Sequence, residues 1–155
     1  MRWWTGAEAP HTSLDNTPFN TMTSSGLTLA YWAVLVAAFL PIVCAGVAKW
    51  GTFGRSRSEG GYDNHLPRAW LAQQTNWRAR ANAAQANSFE ALPFFIGAVV
   101  IAHQLGADQS RLDTLALLYI GLRLVYIGCY LGDRASPRSL AWALALGLNV
   151  AILFV

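Results

Sequence analysis

The chain alternates between long apolar segments and short polar ones, and this alternation predicts its elements. Four apolar segments stand out: residues 27–50, a second one that starts within a polar segment and continues to about residue 105, residues 112–131 and residues 139–155. A helix needs about 17–25 mostly apolar residues to cross a bilayer core of roughly 30 Å. The pattern therefore predicts an all-α integral membrane protein, a four-helix bundle in which each segment crosses the bilayer once.

Proline and small polar residues mark where the helices should begin. Pro67 suits the first turn of a helix, where its missing N–H is not needed, and good helix formers follow it. The second helix should therefore begin there, outside the membrane, and run without interruption to Leu105 as the longest helix of the protein. Asp108 is the expected N-cap before the third span. Ser136 is the expected N-cap before the fourth, with Pro137 at the first helical position.

The first 26 residues differ in composition from the rest of the chain. They are polar and rich in Thr, Ser, Pro and Asn, and such segments bury too little apolar surface to fold alone. We therefore divide the chain into a polar N-terminal tail, residues 1–26, and a four-helix membrane domain, residues 27–155. Trp3 and Trp4 are expected to hold the tail at the membrane interface or against a neighbouring subunit.

Composition indicates that lipid is the solvent of this domain. Hydrophobic residues make up 54% of the chain and charged residues only 12%, whereas soluble domains carry about 25% charged residues. The net charge of +3 arises from basic residues beside the apolar spans, which indicates contacts with membrane lipids rather than with nucleic acid. Cys44 and Cys129 lie in apolar segments and are interpreted as buried thiols, so no disulfide and no metal site is expected.

Basic residues are concentrated in two of the three loops, and this asymmetry predicts the orientation. The loop between spans one and two, with the start of the second helix, carries six of them, and the loop between spans three and four carries Arg134 and Arg138. Loops rich in Lys and Arg stay in the cytoplasm. Both termini are therefore expected on the other side, which is the periplasm in a bacterial inner membrane and a lumen in a eukaryotic cell.

Polar residues within the spans carry the candidate chemistry. On the second helix, Arg80, Asn87 and Glu90 are spaced by seven and three residues, so they share one face. On the third helix, a stripe spaced by four, three and four residues combines three phenols with one guanidinium: Tyr119, Arg123, Tyr126 and Tyr130. The phenols can equally be packing residues with hydroxyls at the membrane interface.

Glu90 is the predicted partner of Arg123. An unpaired arginine in mid-span costs about 2.5–3.5 kcal/mol on insertion scales. Glu90 is the acid that a neighbouring span offers at a matching depth, about 15 Å from the cytoplasmic end of its helix. We therefore predict a direct structural ion pair that joins helices two and three. A purely structural role and a chemical role both stay open, because buried ion pairs often set geometry alone.

Three motifs, in order along the chain, resemble those of one membrane family. The first is RARANAAQANSFEALPFF at residues 78–95, in which an arginine-bearing segment leads into Asn-x-x-Glu and then an apolar Pro-Phe-Phe run. The second covers residues 122–132 and the third covers residues 137–139. Over residues 30–155 the chain resembles the MAPEG family, the membrane-associated proteins of eicosanoid and glutathione metabolism, and it looks like a bacterial-type member.

The resemblance implies an assembly and a set of site residues. It implies a homotrimer that binds glutathione between subunits near the cytoplasmic face. Arg138 falls where catalytic members activate the thiol of glutathione, with Ser139 beside it, although Arg138 can equally serve only its loop. A guanidinium near a helix N-terminus would lower the pKa of a thiol. The implied glutathione-binding residues are Arg80, Asn87, Glu90, Tyr126 and Tyr130.

The chain also departs from the pattern that it resembles. Ala83 and Ala86 stand where glutathione-using members carry basic residues, Gln85 replaces a common histidine, and Trp142 replaces a tyrosine found in several members. Two interpretations follow: a glutathione-dependent transferase or peroxidase acting on lipophilic electrophiles, or a non-catalytic structural or accessory subunit of a larger membrane complex. The missing basic residues favour the second. A transporter is disfavoured, because the spans show no inverted repeat or broken helix pair.

Overall fold

The computed structural model describes residues 26–155, and these residues form helices and connecting turns with no β-strand among them. The elements are α1 (Leu29–Lys49), a short 3-10 helix (Arg57–Glu59), α2 (Pro67–Ala72), α3 (Asn76–Gln104), α4 (Gln109–Leu131) and α5 (Ala135–Ile152). The predicted all-α class is confirmed for this part of the chain. Residues 1–25 of the predicted tail, with Trp3 and Trp4, lie outside the described residues.

Three of the helices are long and apolar enough to cross a membrane. They are α1, α3 and α4, with 21, 29 and 23 residues. The predicted fourth span, α5, is not among them, although it has 18 residues. Its mean hydropathy is lowered because Ser136, Arg138 and Ser139 occupy its first two turns and Asn149 lies near its end.

Small side chains form much of the interface between the helices. Helix α1 packs against α3 and α4, and α5 packs against α4 and α3. The buried alanines are distributed over these four helices: Ala30, Ala33, Ala37, Ala98, Ala102, Ala116 and Ala145. Small residues let helix backbones approach closely. Helices in a membrane associate largely through such close packing, because lipid tails are as apolar as their side chains and no hydrophobic effect drives them together. Many large apolar side chains lie instead on the outer surface, including Phe39 and Ile42, each 59% exposed.

The predicted uninterrupted helix from Pro67 to Leu105 is wrong. Pro67 does begin a helix, but α2 ends at Ala72 and α3 begins at Asn76. The backbone of Asn76 is left-handed, with a φ of 55°, and Asn accepts this conformation more readily than most residues. Two glutamines and a threonine fill the break, and this segment has no apolar periodicity that would continue the helix. The second part, α3, is still the longest helix, with 29 residues.

The predicted start of the last helix is also displaced. Helix α5 begins at Ala135, so Ser136 lies inside it and is not its N-cap. Asp133 adopts a left-handed φ of 57° and ends the turn after α4, and the backbone N–H of Arg134 then donates to the carbonyl of Cys129 at 2.9 Å. Pro137 remains within the first turn, where no intrahelical N–H bond is lost.

The turn between α3 and α4 matches its sequence signals. Gly106 has a φ of 77°, and the N–H of Ala107 donates to the carbonyl of Ala102 at 3.1 Å, which closes the end of α3. The side chain of Asp108 accepts the N–H of Arg111 at 2.9 Å. The predicted N-cap at Asp108 is therefore confirmed.

Candidate functional site

A buried arginine on α4 is the centre of the polar contacts between the helices. The side chain of Arg123 is only 2% exposed. Its Nη1 donates to Oδ1 of Asn87 at 3.0 Å, and its Nη2 donates to Oγ of Ser88 at 3.2 Å. The guanidinium also lies over the ring of Tyr126, 4.5 Å from its centroid. Two neighbouring residues of α3 and a ring of α4 therefore share the task of accommodating this charge.

The predicted direct ion pair between Glu90 and Arg123 is wrong for the chain as described. Within residues 26–155 the salt bridges join other residues, and Asn87 lies between this acid and this arginine. The amide Nδ2 of Asn87 donates to Oε2 of Glu90 at 3.3 Å while its Oδ1 accepts from Arg123. An amide has a donor and an acceptor on one group, so Asn87 can link two charged residues that do not touch.

Ser88 is a site residue that sequence analysis missed. It is 4% exposed, and its hydroxyl donates to the carbonyl of Ala84 at 2.8 Å while accepting from Arg123. Serine often bonds back to the carbonyl four residues earlier in a helix, so its presence alone carries little information. The signal that could have revealed it is its position beside Asn87, facing α4.

Two rings lie between two guanidinium groups in a row from the middle of α4 to the start of α5. Tyr126 and Tyr130 meet edge to face, with ring centroids 5.5 Å apart. The guanidinium of Arg138 then lies 4.4 Å from the centroid of Tyr130. The part of the predicted stripe from Arg123 to Tyr130 thus connects the interior to Arg138 at the start of α5. Such contacts orient a guanidinium and are worth about 0.5–2 kcal/mol each.

Two adjoining cavities lie along this row of side chains. The first, which we call the outer cleft, has a volume of ≈ 210 Å³. It is lined by Asn87, Tyr126, Tyr130, Arg138, Ser139 and Trp142. All of these except Trp142 are site residues predicted from the sequence, and the fold brings them together from α3, α4 and α5. The hydroxyl of Ser139 donates to the carbonyl of Ala135 at 3.2 Å, which leaves its oxygen able to accept.

The second cavity, which we call the inner cavity, has a volume of ≈ 200 Å³ and shares two lining residues with the outer cleft, Asn87 and Trp142. Its other lining residues are Glu90, Ala91, Phe94, Tyr119, Arg123, Ala145, Leu146 and Asn149. From Arg138 to Asn149 is eleven residues of α5, or about 16 Å at the helical rise. The two cavities therefore follow α5 from its polar start to its apolar end.

Comparison with known protein families identifies the family of the chain. The family model of the MAPEG family matches residues 29–155. The chain belongs to the MAPEG family. Its described part contains three helices long and apolar enough to cross a membrane, and the chain is an integral membrane protein. No curated protein and no solved structure matches the chain.

One predicted binding residue of this MAPEG protein lies away from both cavities. Arg80 donates through Nε and Nη2 to the carbonyl of Leu131, each at 3.3 Å, and its Nη1 lies 3.5 Å from a carboxylate oxygen of Asp133. A cation suits the C-terminal end of a helix, where the carbonyls lack partners. The structure therefore places Arg80 as a cap of α4 and not in the outer cleft.

Residues 26–155 of this MAPEG protein hold no group of three or more His, Cys, Asp or Glu side chains arranged to bind a metal ion. Cys44 and Cys129 are both free thiols in this part of the chain, the first buried and the second half-buried. The polar chemistry of the site is thus that of guanidinium, amide, phenol and hydroxyl groups, together with the carboxylate of Glu90.

Proposed function

We propose that this MAPEG protein is a glutathione-dependent transferase or peroxidase that acts on lipophilic electrophiles. The observation that carries the proposal is the outer cleft, where Arg138, Ser139 and Tyr130 stand beside Asn87 and Tyr126. These side chains offer a cation and several hydrogen-bond donors to an anionic, amide-rich ligand. The adjoining inner cavity has mainly apolar walls, which suits a lipophilic second substrate.

In this proposal Arg138 lowers the pKa of the glutathione thiol. The side chain lies in the first turn of α5, where the positive end of the helix dipole adds to the charge of the guanidinium. Its contact with the ring of Tyr130 limits the orientations of the guanidinium. Bound glutathione would supply a thiolate nucleophile that displaces a leaving group from an electrophilic carbon. Alternatively, the thiolate would attack a hydroperoxide and release the alcohol, and a second glutathione would convert the oxidised sulfur to the disulfide with loss of water. Asn87 and Tyr126 would position the peptide against the boundary between the two cavities.

Thiolate formation is the direct test of this role. A thiolate absorbs in the near ultraviolet and a thiol does not, so adding glutathione to the purified protein should raise that absorbance. Arg138→Ala should abolish the rise, and Arg138→Lys should recover only part of it, because a flexible ammonium does not reproduce the planar guanidinium. Arg134→Ala is the matched control, since Arg134 lies one turn earlier and lines neither cavity. Absence of a thiolate signal from the wild-type protein at saturating glutathione would remove the mechanism.

A second candidate function is that of a non-catalytic structural or accessory subunit of a larger membrane complex. Among the residues that line the outer cleft, only Arg138 is basic, whereas glutathione carries two carboxylates. Ala83 and Ala86 supply no further cation from α3. A protein that gives no thiolate signal but purifies as a stable part of a larger complex would support this alternative.

The proposal includes a homotrimer of four-helix subunits, as the family resemblance implies. Within one chain the outer cleft is open, since Ser139 is exposed and Trp142 is 44% exposed. A neighbouring copy could close this side and contribute further donors to glutathione. Light scattering of the detergent-solubilised protein, corrected for detergent, should give the mass of three chains. A monomeric mass together with a full thiolate signal would reject the trimer and keep the enzyme.

We further propose a bacterial inner-membrane location with both termini in the periplasm. The basic loop before α2 and the turn before α5 would then face the cytoplasm, and the α3–α4 turn would face outward. In a chain without its two native cysteines, Ser110→Cys should react with an impermeant thiol reagent on intact cells. Ser58→Cys should react only after the membrane is opened. Labelling of Ser58→Cys on intact cells would reverse the orientation.

A further inference from the structure

An unpaired amide oxygen at the inner cavity indicates a ligand. Asn149 lies on α5 and is 3% exposed. Its amide group approaches the hydroxyl of Tyr119, but its Oδ1 has no hydrogen-bond partner among residues 26–155. Buried polar atoms are nearly always hydrogen-bonded to protein or to ordered water. An unpaired buried atom has lost its hydrogen bonds to bulk water and gains no hydrogen bond in exchange, which costs free energy. The missing partner of an amide oxygen is a donor, so a molecule that satisfies Asn149 must carry an N–H or O–H group.

The walls of the inner cavity indicate the rest of that molecule. Phe94, Tyr119 and Trp142 contribute three aromatic side chains, and Ala91 and Ala145 leave space between them. Aromatic rings pack well against other rings in offset or edge-to-face arrangements. The volume of ≈ 200 Å³ exceeds the roughly 150 Å³ that holds benzene in a well-studied engineered cavity of another protein. A benzene ring with one or two substituents therefore fits.

The rim of the inner cavity indicates where such a ring would enter. Phe94 is 38% exposed, Trp142 is 44% exposed and Leu146 is 39% exposed. Phe94 belongs to α3, which is long and apolar enough to cross a membrane, and Trp142 and Leu146 lie on α5, which packs beside it. The opening between them would therefore face lipid or a neighbouring copy. A ligand that reaches this opening is dissolved in the bilayer and not in water.

We propose that the inner cavity binds the hydroxyl-bearing aromatic ring of a membrane-soluble phenol or hydroquinone. The ring packs among Phe94, Tyr119 and Trp142, and its hydroxyl donates to Oδ1 of Asn149. This inference rests on the proposed function in one respect, because the ring would occupy the cavity that the proposed function gives to the lipophilic second substrate. Binding of the ring does not require glutathione, so the two proposals can fail separately. The proposal gives a role to Asn149, which takes no part in the glutathione chemistry proposed above.

The test compares two probes that differ in one donor. 4-Bromophenol and 4-bromoanisole have similar rings, and bromine quenches tryptophan fluorescence on contact, but the methyl ether has no O–H to donate. Titrated into the full chain in lipid nanodiscs at neutral pH, 4-bromophenol should quench Trp142 saturably. It should bind about five- to tenfold more tightly than 4-bromoanisole, the factor expected from one hydrogen bond. Trp142→Phe identifies the signal of Trp142 and corrects for probe dissolved in the bilayer.

Two variants locate the interaction. Asn149→Leu should remove the preference for the phenol while both probes still bind, because leucine fills similar space and accepts no hydrogen bond. Ala145→Leu should lower the affinity for both probes equally, because the larger side chain fills the cavity. Equal affinities of the two probes, or a preference that survives in Asn149→Leu, would overturn the proposal. Saturable quenching by neither probe would overturn it too, and would leave water or the hydroxyl of Tyr119 as the partner of Asn149. If Asn149→Leu does not fold, the two probes on the wild-type protein decide the question.

Discussion

The two ends of the packed helices are built on different principles. Toward the α3–α4 turn, the interior is almost wholly apolar, with Phe95, Val99, Leu112 and Ala116 at 0% exposure. Toward the α4–α5 turn, α3 and α4 enclose a buried arginine, and together with α5 they line the outer cleft. We call these regions the apolar end and the polar end. The ring stack of Phe95 and Tyr119, with centroids 4.0 Å apart, lies one helical turn before Arg123 and marks the boundary.

The difference shows that close packing is concentrated at one end of this protein and the candidate functional groups are concentrated at the other. At the apolar end, alanines let the helices approach closely and leave little space for a larger side chain. At the polar end, hydrogen bonds hold a charge between helices, and larger side chains leave cavities beside it. Substitutions at the polar end should therefore act through unpaired polar groups, and those at the apolar end through overpacking.

The largest effect is expected from Asn87→Leu at the polar end. The variant removes the oxygen that accepts from Arg123 and leaves a buried charge short of partners, so the free energy of unfolding should fall by about 3 kcal/mol. The double variant Asn87→Leu with Arg123→Met should recover at least half of this loss, because the charge is also gone. Circular dichroism during unfolding by sodium dodecyl sulfate measures both. A double variant as unstable as the sum of the single variants would show that Asn87 does not serve Arg123.

A smaller effect is expected from overpacking the apolar end. Ala98 is 1% exposed and belongs to the core, so Ala98→Leu should lower the free energy of unfolding by about 1–3 kcal/mol. Ala91 lies two turns earlier on α3 and lines the inner cavity. Ala91→Leu is therefore the matched control, and the same unfolding measurement should show a loss of less than half as much. Equal losses at the two positions would mean that the ends do not differ in packing.

The smallest effect is expected from Glu90→Gln. Glu90 is exposed within the chain and contacts Asn87 rather than Arg123, and a glutamine oxygen can still accept that hydrogen bond. The free energy of unfolding should therefore change by no more than about 0.5 kcal/mol. A direct ion pair would instead make the loss about 3–5 kcal/mol. A loss of that size would show that Glu90 reaches Arg123 in the assembled protein.

Prediction from sequence succeeded where local rules act alone. Asp108 was identified as an N-cap because its side chain needs only the N–H three residues later, and Pro67 begins a helix because it lacks an N–H. The apolar lengths of α1, α3 and α4 indicated a membrane protein, and the motif at residues 78–95 indicated the family that the comparison then established. The helix break at residues 73–75 was missed, because no proline or glycine marks it.

The sequence by itself determined the class of the protein, its apolar spans and the face on which Arg80, Asn87 and Glu90 lie, because these follow from composition and from the period of a helix. Only the tertiary structure decided which of those three contacts Arg123. Depth and charge favoured Glu90, but contact requires that the two side chains project toward each other. The packing of α3 against α4 brings Asn87 and Ser88 into contact with the guanidinium and leaves Glu90 exposed beside the inner cavity. The partnerless oxygen of Asn149 was likewise invisible in the sequence, because whether a polar atom is paired depends on every helix packed around it.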